Sequence, residues 1–194
     1  PFLDSLLQHS ITYNYSFASG RKSIDAMPSV LSSIPMLIEP YIVTPYSTNA
    51  VSSLADCLNK QGYTTAFFHG APNGSMGFQA FARSAGFQSY YGMNEYNNSQ
   101  DFDGTWAIWD EDFLQFYAHT MNTMQEPFMT AIFTASSHHP FKIPSQYKDS
   151  FPQGTQPIHQ CIGYTDHSLR MFFTYVQQQA WYDNTLFVIT ADHT

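Results

Sequence analysis

Apolar and polar positions follow two alternating rhythms along the chain. From Ile24 onward, Ile24, Met27, Val30, Leu31 and Ile34 recur three and four residues apart, as on one helix face. Segments 52–61, 78–86, 112–125 and 159–181 also read as helices, and Gly62 and Gly86 stop the first two. Between them lie apolar runs at 63–70, 127–136 and 184–194. Their centres, 66–68, 129–133 and 186–189, have no polar alternation, which suits strands buried on both faces. Helix followed by strand, three times over, predicts an α/β fold: a mostly parallel sheet with helices on both faces. Residues 90–110, rich in Asn, Tyr, Asp and Gly, predict a long surface excursion. The stretch "PFLDSLLQ" at the start is helix-like. Residues 1–194 read as part of a single domain, incomplete at both ends.

The ends of the predicted strands carry the chemistry. The first finishes at His69, the second runs into Ser136, Ser137, His138 and His139, and the third into Asp192 and His193. Ligands of open α/β sheets bind outside the carboxyl ends of the strands, so three histidine-bearing ends predict one functional rim. An Asp–His pair offers a hard oxygen and a borderline nitrogen, a donor set suited to Zn²⁺ or Mn²⁺. At the head of the first helix, Gly20 permits a tight turn and Arg21 and Lys22 place two cations beside the hydroxyl of Ser23. Two roles fit Ser23 there. It is an N-cap, or its hydroxyl faces an anion at the positive end of the helix. "SGRKS" is not a P-loop, because Arg21 separates glycine from lysine, and "NGSMG" is not a hydrolase elbow, because Gly74 directly precedes Ser75. A serine beside cations, with a His and Asp–His rim downstream, points to a metal-activated hydroxyl attacking a phosphorus or sulfur ester.

Composition narrows the partners. The formal charge is −8 and there is no basic run, which excludes nucleic-acid binding. Charged residues make up 11% and aromatics 17%, few charges for a free-standing domain, so part of the surface is expected to lie against something else. No run of eighteen apolar residues is present to span a membrane. Cys57 and Cys161 lack metal-ligand spacing and can be paired or free. Trp106 and Trp109, in the aromatic excursion, either stack against a sugar or glycolipid headgroup or pack the loop against the domain. Asp110, Glu111 and Asp112 read as the acidic first turn of the next helix.

Five motifs, "SGRKSIDAMPSVLSSIP", "LNKQGYTTAFFHG", "SSHHPF", "GYTDHSLRMFF" and "NTLFVITADHT", occur in an order that resembles the sulfatase-like branch of the alkaline phosphatase superfamily. Within that branch the chain is most similar to lipoteichoic acid synthases and periplasmic phosphoglycerol transferases. The resemblance implies that Ser23 is both nucleophile and metal ligand. It implies that Asp192 and His193 are further ligands of one divalent ion (Mn or Zn). His138 is expected near the substrate phosphate or leaving group, with His139 as the alternative register, and His69 facing the substrate. Arg21 and Lys22 are phosphate-facing candidates. The family's first metal ligand, an acid ending an early strand, has no counterpart here, so the chain alone is expected to be inactive. The Trp and Arg that grip phosphoglycerol in Gram-positive relatives are missing from "APNGSMGFQAF", which leaves His69 and Asn73 as the nearest polar substitutes. The resemblance implies a phosphotransferase or phosphodiesterase of cell-envelope synthesis, acting on a phospholipid or phosphoglycan substrate. It also implies an extracytoplasmic location, periplasmic or on the outer face of the cytoplasmic membrane, with membrane anchorage through N-terminal helices outside this chain. A sulfatase is the alternative enzyme, although the formylglycine signature Cys/Ser-x-Pro-x-Arg is missing. A degenerate extracellular binding module is the alternative without catalysis.

Overall fold

The computed structural model describes residues 1–193. Among these residues seven α-helices are interleaved with three strands: α1 (Phe2–Leu7), α2 (Ser23–Ser32), α3 (Leu54–Asn59), β1 (Thr64–His69), α4 (Phe78–Ser84), β2 (Ser89–Tyr91), α5 (Met93–Tyr96), α6 (Asp110–Met121), β3 (Phe128–Phe133) and α7 (Ile158–Val176). The strands form one sheet in the order β2-β1-β3, and both pairings are parallel. β1 lies in the middle, in register from Ala66↔Ser89 to Phe68↔Tyr91 on one side and from Thr64↔Phe128 to His69↔Phe133 on the other.

Strand geometry sends successive side chains to opposite faces, and β1 builds a core on each. Ala66 and Phe68 join Phe113, Leu114, Tyr117 and Met121 of α6 and Phe172, Phe173 and Val176 of α7. Phe67 joins Met27 and Leu31 of α2, Ala55 of α3 and Phe78, Phe81 and Ala82 of α4. The result is a three-layer α/β/α arrangement, with helices on both faces of a parallel sheet as the residue pattern predicts. The helix ends follow local chemistry. Ser53 caps α3 by accepting from the Asp56 N–H at 3.0 Å, and Gly86 turns the chain after α4 at φ +85°. Asp110, Glu111 and Asp112 occupy the first turn of α6.

Several expectations are corrected. The apolar run 184–194 is not a strand among the described residues: Leu186, Val188 and Ile189 are exposed, and no ladder forms beside them. An extended segment becomes a strand only by pairing, and hydrophobicity alone supplies no partner. Thr194, the end of that run, lies outside the described residues. β3 is half-buried rather than buried on both faces, because it pairs only with β1 and forms an edge. The excursion expected at 90–110 begins inside the sheet, with Tyr90 and Tyr91 in β2. Its far end is buried at Ala107, Ile108 and Asp110. A three-residue strand is too short to show a period, so its sequence reads as loop. Both cysteines are free, Cys57 exposed and Cys161 buried.

Candidate active site

Ser23 is the first residue of α2 and does not cap it. The N-cap is Lys22, in extended backbone, and no side chain makes a cap bond there in the usual sense. The capping is done from inside the helix. Asp25, 3% exposed, turns back so that its Oδ2 accepts the backbone N–H of Arg21 at 3.1 Å and of Lys22 at 3.2 Å. This leaves Asp25 Oδ1 buried without a hydrogen-bond partner. Gly20 is explained by the same contact: a Cβ there would stand 2.3 Å from the Cβ of Asp25, so only glycine lets the carboxylate close over the turn. Its backbone is not left-handed. The need is for space rather than for an unusual φ.

Freed from capping, the Ser23 hydroxyl donates to Asp192 Oδ2 at 2.7 Å, a contact between residues 169 positions apart. His193 Nε2 lies 3.4 Å from the same Asp192 oxygen. Hydroxyl, carboxylate and imidazole therefore meet at the positive end of α2, where the outward-pointing N–H groups favour an anion. Arg21 and Lys22 are exposed beside them. The three donors fit part of a divalent cation's sphere: a half-buried oxygen pair and a nitrogen, mutually close and reachable from solvent. Among the described residues, no group of three or more His, Cys, Asp and Glu gathers to hold a metal. Asp4 lies exposed on α1, whose first N–H groups are accepted by Asp166 of α7.

The other strand ends divide into exposed and buried. His138 and His139 follow β3 and are exposed. His138 Nδ1 sits 2.9 Å from the His139 carbonyl, which can only accept, so Nδ1 carries hydrogen and Nε2 is left for proton exchange. The His138 ring stands edge to face with Trp106, centroids 4.8 Å apart. The His139 ring stands similarly against Phe141 at 5.7 Å. His69, in contrast, is 1% exposed, its ring held between Phe78 and Phe133. Its Nδ1–H donates to the Phe133 carbonyl at 3.1 Å, and Nε2 is buried with no partner. Burial lowers the His69 pKa, more than the Phe133 carbonyl raises it, so the ring is neutral. The substrate-facing expectation for His69 thus meets a side chain shielded from solvent by two phenyl rings. Asn73 is also engaged. Its Nδ2 donates to both oxygens of Glu95 at 3.2 and 3.0 Å, and its Oδ1 accepts from the Asn94 N–H at 3.2 Å. These bonds fasten the loop after β1 to α5, which is a structural use of the amide.

Trp109 packs edge-on to Tyr164, centroids 6.1 Å apart, whereas Trp106 is exposed beside His138. Sequence reasoning missed two residues that build the rim. Asp25 sits at the third helical position, where an acid folding back on the turn is a readable capping signal. Asp110 is buried at the head of α6 and accepts from the Ala135 and Ser136 N–H groups at 2.9 and 3.1 Å. Burial pushes its pKa up to about 6, against the lowering effect of those N–H bonds.

The α/β/α core carries a helix-borne serine facing an Asp–His pair that follows an extended, unpaired segment, an arrangement found together with the following likeness to known proteins. The Sulfatase family model matches residues 1–194, and the chain belongs to that family. It is 24% identical over 203 residues to lipoteichoic acid synthase 2 of Bacillus subtilis, covering all of this chain and 31% of that protein. Phosphoglycerol transferase I of Xanthomonas campestris is 25% identical over 150 residues, covering 72% of this chain and 21% of that protein. Among solved structures, an alkaline phosphatase superfamily protein from Vibrio parahaemolyticus superposes with a TM-score of 0.84 at 24% identity. It covers 94% of this chain and 46% of that one. The C-terminal periplasmic domain of EcEptC from Escherichia coli, solved in complex with Zn, superposes with a TM-score of 0.58 at 16% identity, over 90% of this chain and 51% of that one. The chain spans about a third of the length of the lipoteichoic acid synthase it matches.

Proposed function

We propose that this chain carries the nucleophile half of a metal-dependent phosphotransferase acting on phosphoglycerol- or phospholipid-type diesters outside the cytoplasm. The observation that carries the reading is the 2.7 Å hydrogen bond from Ser23 Oγ to Asp192, with His193 beside it. Ser23, Asp192 and His193 would hold one divalent ion, Mn or Zn, which when bound lowers the serine pKa and offsets charge on the phosphoryl oxygens. The chain's own residues supply the rest. Ser23 Oγ passes its proton towards the Asp192 carboxylate and bonds to phosphorus, the bond to the first alcohol breaks, and His138 Nε2–H gives that oxygen a proton. A second alcohol or water then displaces the group from Ser23, its proton passing to His138 while the Asp192 carboxyl returns the first proton to Ser23 Oγ. Arg21 and Lys22 add positive potential at the helix head where the anion arrives.

The names of the relatives, a lipoteichoic acid synthase and a phosphoglycerol transferase, support the substrate class. The periplasmic, zinc-bound EptC domain supports the location and the ion. No helix among the described residues is long and apolar enough to cross a membrane. Sulfate ester hydrolysis fits less well, because Ser23 is followed by Ile24-Asp25-Ala26-Met27 and not by the Pro and Arg of the formylglycine signature.

The test is a trapping experiment on the full-length protein with Mn²⁺ or Zn²⁺ and a phosphatidylglycerol donor in detergent micelles. A phosphoglycerol adduct on the peptide containing Ser23 is expected by mass spectrometry, with turnover lost in Ser23→Ala. Undiminished turnover in Ser23→Ala would overturn the nucleophile assignment. Turnover of an aryl sulfate in preference to any phosphodiester would overturn the substrate class.

A further inference from the structure

The segment that enters α6 grips the segment that leaves β3 at both ends. At the near end, Asp110 accepts the backbone N–H of Ala135 through Oδ1 and that of Ser136 through both oxygens, at 2.9, 3.1 and 3.2 Å. The Asp110 N–H returns a bond to Ser136 Oγ at 3.0 Å. At the far end, Trp106 Nε1–H donates to the carbonyl oxygen of His139. That oxygen is the same one the His138 ring uses, through Nδ1 at 2.9 Å. A carbonyl has two lone pairs, and here one holds an indole and the other an imidazole. The two rings also touch edge to face at 4.8 Å. A third tie, between Ser137 Oγ and Thr165 Oγ1, fastens the middle of the segment to α7.

From this we infer that Trp106 and Asp110 are positioning residues for His138. Asp110 sets where the backbone leaves the sheet, and Trp106 fixes the carbonyl that decides which ring nitrogen of His138 keeps its hydrogen. The physical reason lies in what an exposed histidine lacks. His138 has few neighbours to restrain it, so a ring free to rotate would present Nε2 to a leaving oxygen only part of the time. Anchoring Nδ1 to a carbonyl that is itself held in place removes that freedom before substrate arrives. Trp106 is therefore neither a packing residue alone nor a substrate platform alone. Its N–H faces the protein, while the residue as a whole remains 46% exposed.

The inference rests on the proposed role of His138, so the experiment separates the two. In full-length protein, Trp106→Phe keeps an aromatic ring at the position that packs on His138 and removes the N–H donor. The expected result is a fall in kcat of about tenfold with KM within about twofold, the pattern of lost alignment and not of lost binding. The His138 ring nitrogen signals in NMR should also move towards a mixed tautomer, a change that a merely structural role for Trp106 would not produce. In a His138→Ala background, Trp106→Phe should cause no further loss. Asp110→Asn should lower kcat in the same direction, with melting temperature recorded alongside. Trp106→Phe with wild-type kcat and unmoved His138 signals, or with an equal loss in both backgrounds, overturns the inference. If His138→Ala itself turns over at the wild-type rate, the proton-donor reading of His138 is overturned and the inference falls with it.

Discussion

Gly20 and Asp25 show how one atom of space frees a serine hydroxyl from capping. Asp25 can accept two N–H groups ahead of α2 only because residue 20 has no Cβ. With the turn capped from inside the helix, Ser23 has no capping duty and can reach Asp192. Gly20→Ala is therefore expected to act through geometry. Its methyl group would overlap a buried carboxylate, forcing Asp25 or the turn to shift, at a cost of about 1–3 kcal/mol. Urea denaturation of the variant measures this directly. A midpoint unchanged from wild type would mean that the turn absorbs the methyl group freely. His69 teaches the opposite lesson at the same scale. A histidine at a strand end looks like a ligand in sequence, yet two phenyl rings enclose this one and hold it neutral.

At the scale of elements, α6 is more than a layer of the fold. Its first residue, Asp110, binds the exit of β3, while its body packs Phe113, Leu114 and Tyr117 against β1 and α7. That dual use has a cost in pH. Burial raises Asp110 from 3.8 to about 6, and Asp112 on the same turn also rises to about 6, by burial first and then by Asp101 and Glu111. An acid with a raised folded-state pKa binds protons in the folded protein that the unfolded chain has already released. Stability from these groups is thus complete below the unfolded value and declines as pH rises through about 6. Asp110→Asn cannot titrate and should flatten part of that decline, leaving the Asp112 share. Unfolding free energies measured from about pH 4.5 to 7.5 in both proteins test the sign. A variant as pH-sensitive as wild type would remove Asp110 from the account.

Across the whole molecule, three donors from opposite ends of the chain meet at one rim, while the described residues offer no third acid or imidazole beside Asp192 and His193. A sphere of three donors holds a divalent ion weakly, because affinity falls with each ligand missing. Titration of the 194-residue chain with Mn²⁺ or Zn²⁺ should give a dissociation constant weaker than about micromolar, abolished by Asp192→Asn. A stoichiometric submicromolar site would show that another acid of this chain completes the sphere.

The longer helices, β1 and β3, the parallel sheet, and Ser23, His138, Asp192 and His193 as candidates were legible in the sequence, whereas β2, α5 and the contacts of Asp25 and Asp110 were not. Helical periodicity, unbroken apolar runs and His-bearing strand ends are local signals, carried by neighbours in the chain. Ser23, Asp192, His193 and His138 could be chosen as candidates for the same reason: their motifs are contiguous. What the sequence could not settle were matters of pairing and space. The apolar run before Asp192 has the composition of a strand, but a strand exists only where another backbone offers its N–H and C=O groups. β2 is real although three residues carry no period, because Thr65 and its neighbours in β1 hold it there. The roles of Gly20, Asp25, Asp110 and Trp106 depend on contacts that follow the fold. A missing Cβ, a shared carbonyl and a buried carboxylate acquire meaning only when residues distant in sequence come within a hydrogen bond of one another.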